Sequence, residues 1–107
     1  MITEERRIPA YPLDYLPLTY HYPLHDIKID TEGHEVEVVR GAIQTIRRWR
    51  PRILVEIHGA ENGDQLAALL LFEHYKVHQL IRHPHYEPDS PAFHQHYWMW
   101  FWPEEAT

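Results

Sequence analysis

The sequence predicts an α/β fold with a mostly parallel sheet and one antiparallel C-terminal strand, in the order β-α-β-α-β-β. Three observations carry this. Short runs rich in β-branched and aromatic residues, at 24–30, 52–58, 75–81 and 96–102, read as strands. Segments with apolar residues three and four apart fall between the first three runs. The last two runs are separated by a linker too short for a helix, which argues for an antiparallel pair. Alternating β and α elsewhere argues for parallel strands joined by right-handed crossovers.

Residues 1–23 read as an irregular lead-in. Pro9, Pro12, Pro17 and Pro23 rule out a long helix, and Ile8 to Leu13 suit a short extended piece. The first strand, 24–30, uses Leu24, Ile27 and Ile29 and ends in Asp30-Thr31-Glu32-Gly33, where glycine permits a tight turn. A helix follows over 34–49 on the stripe Val36, Val39, Ala42, Ile43, Ile46 and Trp49. Glu35 and Glu37 in its first turn and arginines in its last suit the helix dipole. Pro51 stops it. Gly41 lies inside it, where close packing against the sheet is the expected reason.

The second strand, Arg52 to His58, is almost continuously apolar, as for a strand covered on both faces. After Gly59 to Gly63, Asn62 or Asp64 is placed to cap a helix running to about His74. Residues 82–93 form a proline- and histidine-rich loop. Tyr97 to Trp102 read as a core strand between two covered faces in preference to a stacking platform for a base or a cofactor adenine.

The chain has 107 residues, with 16 acidic and 10 basic side chains and a formal net charge of −6. That balance argues against a phosphate-backbone partner, so no nucleic acid is expected. Arg47, Arg48, Arg50 and Arg52 cluster at a helix end, where cations complement the dipole. With no cysteine, disulfides and thiolate metal sites are excluded. No stretch has signal-peptide or membrane-span character, so a cytoplasmic protein is the expectation.

Ligands of open parallel sheets bind beyond the carboxyl ends of the strands. Asp30 and Glu32 follow the first strand, and Glu56 and His58 end the second, two residues apart and hence on one side of it. These four should meet. Three carboxylates and an imidazole suit a general base, an anchor for a substrate hydroxyl, or a hard-metal site. The alternative is structural, with Asp30 capping the next helix and Glu56 paired in a network.

The stretch Lys28-Ile29-Asp30-Thr31-Glu32-Gly33-His34-Glu35, continuing to Gly41-Ala42, resembles the signature of FkbM-family methyltransferases. Arg50-Pro51 and Leu54-Val55-Glu56-Ile57-His58 are similar to two later family segments, and Pro12-Leu13-Asp14 to one that precedes the signature. The resemblance runs from about residue 8 to 60, with a weaker echo to 103. It implies a Rossmann-like fold that transfers a methyl group from S-adenosylmethionine, typically to a hydroxyl oxygen of a small-molecule or glycan-like acceptor. It further implies Asp30, Glu32, Glu56 and His58 as catalytic positions and Asp30, Thr31 and Gly33 as cofactor-binding ones, with no metal ligand assigned. The glycine-rich cofactor loop of the family has no counterpart: the four glycines, 33, 41, 59 and 63, make no G-x-G. Residues 24–103 are therefore expected to be the C-terminal half of a methyltransferase domain, and the chain a truncated one. Strand 24–30 is expected to pair along its edge with itself or with a separate N-terminal half. Where relatives often carry Gly-Tyr before the third strand, this chain has His74-Tyr75.

Two other readings stand beside this one. The chain could be a non-catalytic α/β module or relic that completes another chain's fold. A lesser alternative is a metal-binding protein using His83-x-His85 and His94-x-His96.

Overall fold

A computed structural model describes residues 12–106. The elements are a 3-10 turn (Leu13–Tyr15), α1 (Leu18–His21), β1 (Asp26–Ile29), α2 (Glu35–Arg40), α3 (Ile43–Trp49), β2 (Arg52–His58), α4 (Ala60–Phe72), β3 (Tyr75–Arg82), α5 (Pro91–Gln95) and β4 (His96–Pro103). The architecture is α/β, with a four-stranded mixed sheet in the order β1-β2-β4-β3. β1 pairs with β2 in parallel, while β4 is antiparallel to both β2 and β3. Three strands thus run one way, but only one hydrogen-bonded pair is parallel, because β4 inserts between β2 and β3. The linker before β4 does hold a helix, the short α5. Its start is fixed by Ser90, whose hydroxyl accepts from the Phe93 N–H at 3.3 Å.

One hydrophobic core forms under the helices. Ile53, Val55 and Ile57 of β2 and Phe101 of β4 are fully buried against Val39, Ile46, Leu66 and Leu70. The crossovers β1→β2 and β2→β3 advance in the same direction across the sheet. Right-handed crossovers then place α2, α3 and α4 on the same face. This corrects the expectation of strands covered on both faces. β2 alternates between buried Ile53, Val55 and Ile57 and half-buried Leu54, Glu56 and His58. β4 likewise buries Tyr97, Met99 and Phe101 and leaves Trp98, Trp100 and Trp102 half-buried on the other face. Side chains of the same layer lie on these tryptophans. His78 stacks on Trp102 at 3.7 Å, His83 on Trp98 at 4.0 Å, and Arg52 sits over Trp100 and Trp102.

The helix expected over 34–49 is broken at Gly41-Ala42. Asp14 causes the break from thirty residues away. Its N–H donates to the Gly41 carbonyl, and its carboxylate accepts from the N–H groups of Gln44 (2.9 Å) and Thr45 (2.7 Å) and the Thr45 hydroxyl (2.7 Å). Those are the unpaired donors of a new helix start, so Asp14 caps α3. Gly41 therefore packs on the lead-in and not on the sheet: a Cβ there would stand 2.9 Å from Pro12 Cβ. The lead-in from residue 12 is correspondingly ordered, with Trp49 Nε1 donating to the Thr19 carbonyl. Most of the extended piece expected at Ile8 to Leu13 lies outside the described residues, and Leu13 itself opens the 3-10 turn.

Neither Asn62 nor Asp64 caps α4, which begins earlier, after Gly59. The side-chain carbonyl of Gln95 accepts from the Ala60 N–H at 2.8 Å instead. Gly63 lies where α4 crosses β2 and β4: a Cβ would collide with the Tyr97 hydroxyl and stand 3.0 Å from Ile57 Cγ2.

Three of the four clustered arginines are paired within the chain, and Arg48 lies over the Tyr20 and Trp49 rings. Arg47 forks onto nearly buried Glu73 at 2.7 and 3.0 Å. Arg50 bonds Glu105 and the Glu73 and His74 carbonyls, and Arg52 bonds Asp26. Among the described residues no helix is long and apolar enough to cross a membrane.

Candidate functional site

The parallel strands β1 and β2 and the co-directional β3 all end at the edge of the sheet where β4 begins. In register, Ile29 stands beside Val55, so Asp30 stands beside Glu56 one step further on. Side chains alternate along a strand. With Ile29 and Val55 buried toward the helices, Asp30, Glu56 and His58 belong to the other, half-open face. One ligand atom from each of these three lies within 4.8 Å of the others. Glu56 Oε1 is 3.7 Å from His58 Nε2 and 3.7 Å from His83 Nε2. His83 reaches the cluster from the end of β3, held on the face of Trp98, the residue paired with Glu56 across the sheet.

Thus Asp30, Glu56 and His58 meet as the sequence suggests, and Glu32 does not join them. Glu32 (φ 52°) and Gly33 (φ 111°) are consecutive left-handed residues that reverse the chain between β1 and α2. This leaves Glu32 exposed and outside the cluster. Thr31 is half-buried, and its hydroxyl oxygen has no hydrogen-bond partner. Nothing lies within 4 Å of where a Gly33 Cβ would be.

Two members escaped the sequence reading. Glu35, at the first position of α2, is fully buried. Its Oε1 accepts from the Gly33 N–H and from His58 Nδ1, each at 2.9 Å, while Oε2 has no partner. The signal was present: Glu35, Val39, Ala42 and Ile46 are spaced four, three and four, so Glu35 is in phase with the buried stripe. His83 was visible only as part of a pair with His85. His85 and His94 are exposed, and among the described residues neither pair gathers into a ligand group.

The hydrogen bond to Glu35 fixes the His58 ring with Nε2 toward Glu56. Asn62 holds the backbone beneath it, donating to the His58 carbonyl at 2.8 Å and, more weakly, to that of Gly33 at 3.4 Å. Burial is the largest single influence on the His58 proton and disfavours it. The Glu35 hydrogen bond and the charges of Glu35, Glu56 and Asp30 together outweigh burial, so His58 holds its proton above the usual 6.5.

Three surface depressions lie away from these residues. One is lined by Thr19, Tyr20, Gln44, Thr45, Arg47 and Arg48, another by residues around Trp49 and Trp102, and a third by Pro12, Leu13, Glu37, Val38 and Gly41. None includes Asp30, Glu56 or His58.

Compared with known proteins, residues 1–101 match the family model of the methyltransferase FkbM domain. No curated protein and no solved structure matches the chain.

Proposed function

The chain belongs to the methyltransferase FkbM domain family, and on that premise we propose that it serves S-adenosylmethionine-dependent methyl transfer to a hydroxyl oxygen of a small-molecule or glycan-like acceptor. The observation that carries this reading is the convergence of Asp30, Glu56 and His58 on one face, at the carboxyl ends of β1 and β2. Titratable groups gathered there, with the His58 proton held more tightly by its carboxylate neighbours, are what proton transfer to or from a substrate needs.

His58, with Nδ1 committed to Glu35, has Nε2 free to take the acceptor's proton. Glu56, between two imidazoles, stabilises the charge that then forms on His58. Asp30 is exposed and orients the acceptor hydroxyl. Most of the advantage of such a site comes from holding the oxygen in line, with proton removal assisting. S-adenosylmethionine supplies an electrophilic methyl group when bound. The described residues fit it in part: the unpartnered Thr31 hydroxyl and the open space at Gly33 adjoin Asp30. No glycine-rich loop accompanies them among the described residues.

Methyl-labelled S-adenosylmethionine, offered with a panel of hydroxylated glycans and small molecules, tests the proposal. The wild-type chain is expected to transfer label and His58→Gln to lose about a hundredfold in rate. Absence of both calorimetric binding of S-adenosylmethionine and label transfer would overturn it.

A second reading is favoured by the open sheet. β1 has a strand partner on one side only among the described residues, and Trp98, Trp100 and Trp102 are half-buried on the face opposite the core. A non-catalytic module that pairs along β1 with a second copy or a separate chain would use both. Light scattering on the purified chain separates the two readings: a stable monomer that binds S-adenosylmethionine is inconsistent with the module.

A further inference from the structure

We propose that Asp30, Glu56 and His58 form a divalent-cation site, with His83 as a fourth donor and Glu35 behind His58. It rests on the proposed function for its purpose only: with the ion bound, His58 Nε2 is a ligand and no longer a base, and the ion takes over from His58 and Asp30 the fixing and acidifying of the acceptor oxygen. Binding of the ion is separately measurable.

The donor set comes first. Two carboxylates and one imidazole suit a first-row cation such as Mn2+ better than Mg2+, which favours oxygen alone. The spacing is close to what such an ion requires. A cation about 2.1 Å from each donor holds adjacent donors about 3 Å apart and opposite ones about 4.2 Å apart. The donors here lie 3.7 Å apart for Glu56 and His58 and within 4.8 Å for all three, so a small inward movement completes the site.

The arrangement around His58 is that of a metal-bound imidazole. One ring nitrogen is bonded to a buried carboxylate, Glu35, and the other faces the candidate ligands. Charge argues the same way. Among the described residues neither Asp30 nor Glu56 is paired with a lysine or arginine, whereas Asp26, Glu73 and Glu105 all are.

An independent observation also points to a polar ligand at this place. Four buried side-chain polar atoms among the described residues have no hydrogen-bond partner. Three of them belong to residues that adjoin this cluster: Thr31 follows Asp30 in the chain, Glu35 bonds His58 through its other oxygen, and His83 Nε2 lies 3.7 Å from Glu56. Buried polar atoms are seldom left unpaired, and several in one place mark a position where water or an ion belongs. Fully buried Glu35, with one oxygen on His58 and the other unsatisfied, is the strongest of the three.

The test is titration of the purified chain with Mn2+, followed by the loss of the free-ion electron paramagnetic resonance signal. The wild type is expected to take up one equivalent. Asp30→Asn should weaken uptake by more than a hundredfold, and Glu35→Gln by about ten- to a hundredfold through its hold on His58. Glu37→Gln, an exposed carboxylate of α2, should match the wild type. Mn2+ should also broaden the ring signals of His58 and His83 before those of His85 and His94. Circular dichroism checks that each variant is folded. No uptake by the wild type, or equal uptake by wild type, Asp30→Asn and Glu35→Gln, overturns the site. Uptake lost with Asp30, in a chain that transfers no methyl group, sinks the proposed function and leaves the cation site standing.

Discussion

Glu35 and His58 share a hydrogen bond of 2.9 Å between a fully buried carboxyl and the ring that ends β2. The contact ties the first turn of α2 to the strand end where the candidate chemistry lies. Glu35→Gln keeps the shape and removes the charge. Nuclear magnetic resonance titration of the His58 ring should show its pKa falling from its raised position, and stability should fall by about 1–3 kcal/mol. An unchanged His58 titration would show that the other carboxylates set its proton affinity and that Glu35 does not.

The same shift fixes a pH dependence. The folded chain holds the His58 proton more tightly than the unfolded chain does. Its contribution to stability is therefore fully present below about 6.5 and is lost as pH rises through the raised folded value. Glu73 behaves oppositely. The hydrogen bond and charge of Arg47 lower its pKa from 4.5, so its contribution is present above that value and is lost as pH falls through the lowered one. Melting temperatures should show the gap between wild type and His58→Gln closing toward alkaline pH, and that between wild type and Glu73→Gln closing toward acid. Parallel curves for either pair would contradict the assignment.

Asp14 is the most consequential residue of the lead-in. Its carboxylate satisfies two helix N–H groups and a hydroxyl at the start of α3. Asp14→Ala should cost about 1–2 kcal/mol, read from the urea midpoint, and Asp14→Asn much less. Equal losses for the two would mean that charge, and not capping, is what Asp14 supplies.

This cap also marks where the sequence stops being legible. β2, β3 and β4 fall within a residue of their expected bounds, because apolar alternation or a continuous apolar run reports a strand directly. The split of one expected helix into α2 and α3 depends on a contact thirty residues away, which no local period encodes. The site divides in the same manner. Asp30, Glu56 and His58 are legible because strand ends and register bring them together. Glu32 looked equivalent to Asp30 in sequence, and only the left-handed turn at Glu32 and Gly33 separates them. His83 directly follows β3, and its approach to Glu56 depends on β4 inserting between β2 and β3, which element order alone does not specify. The tryptophans were read as core because their density is apolar. That α2, α3 and α4 would all lie on the opposite face follows from the direction of the crossovers, a property of the whole sheet.

The left-handed backbone of His74, just before β3, has a measurable cost. His74 follows the C-cap of α4 with φ 63°, a left-handed conformation that glycine enters freely and a β-carbon opposes by roughly 1–2 kcal/mol. Its side chain returns little. It is largely exposed, and its nearest carboxylate, Glu104, is 3.8 Å away. The backbone is nevertheless held there, since the His74 N–H donates to the Leu71 carbonyl and its own carbonyl accepts from Glu104 N–H and Arg50. His74→Gly keeps all three bonds and removes the strain, offset by the greater freedom of glycine in the unfolded chain. The variant should gain about 0.5–1 kcal/mol in chemical denaturation, and His74→Ala, which keeps the β-carbon, should gain nothing. A glycine variant no more stable than the alanine one would show that the turn carries no strain at this position.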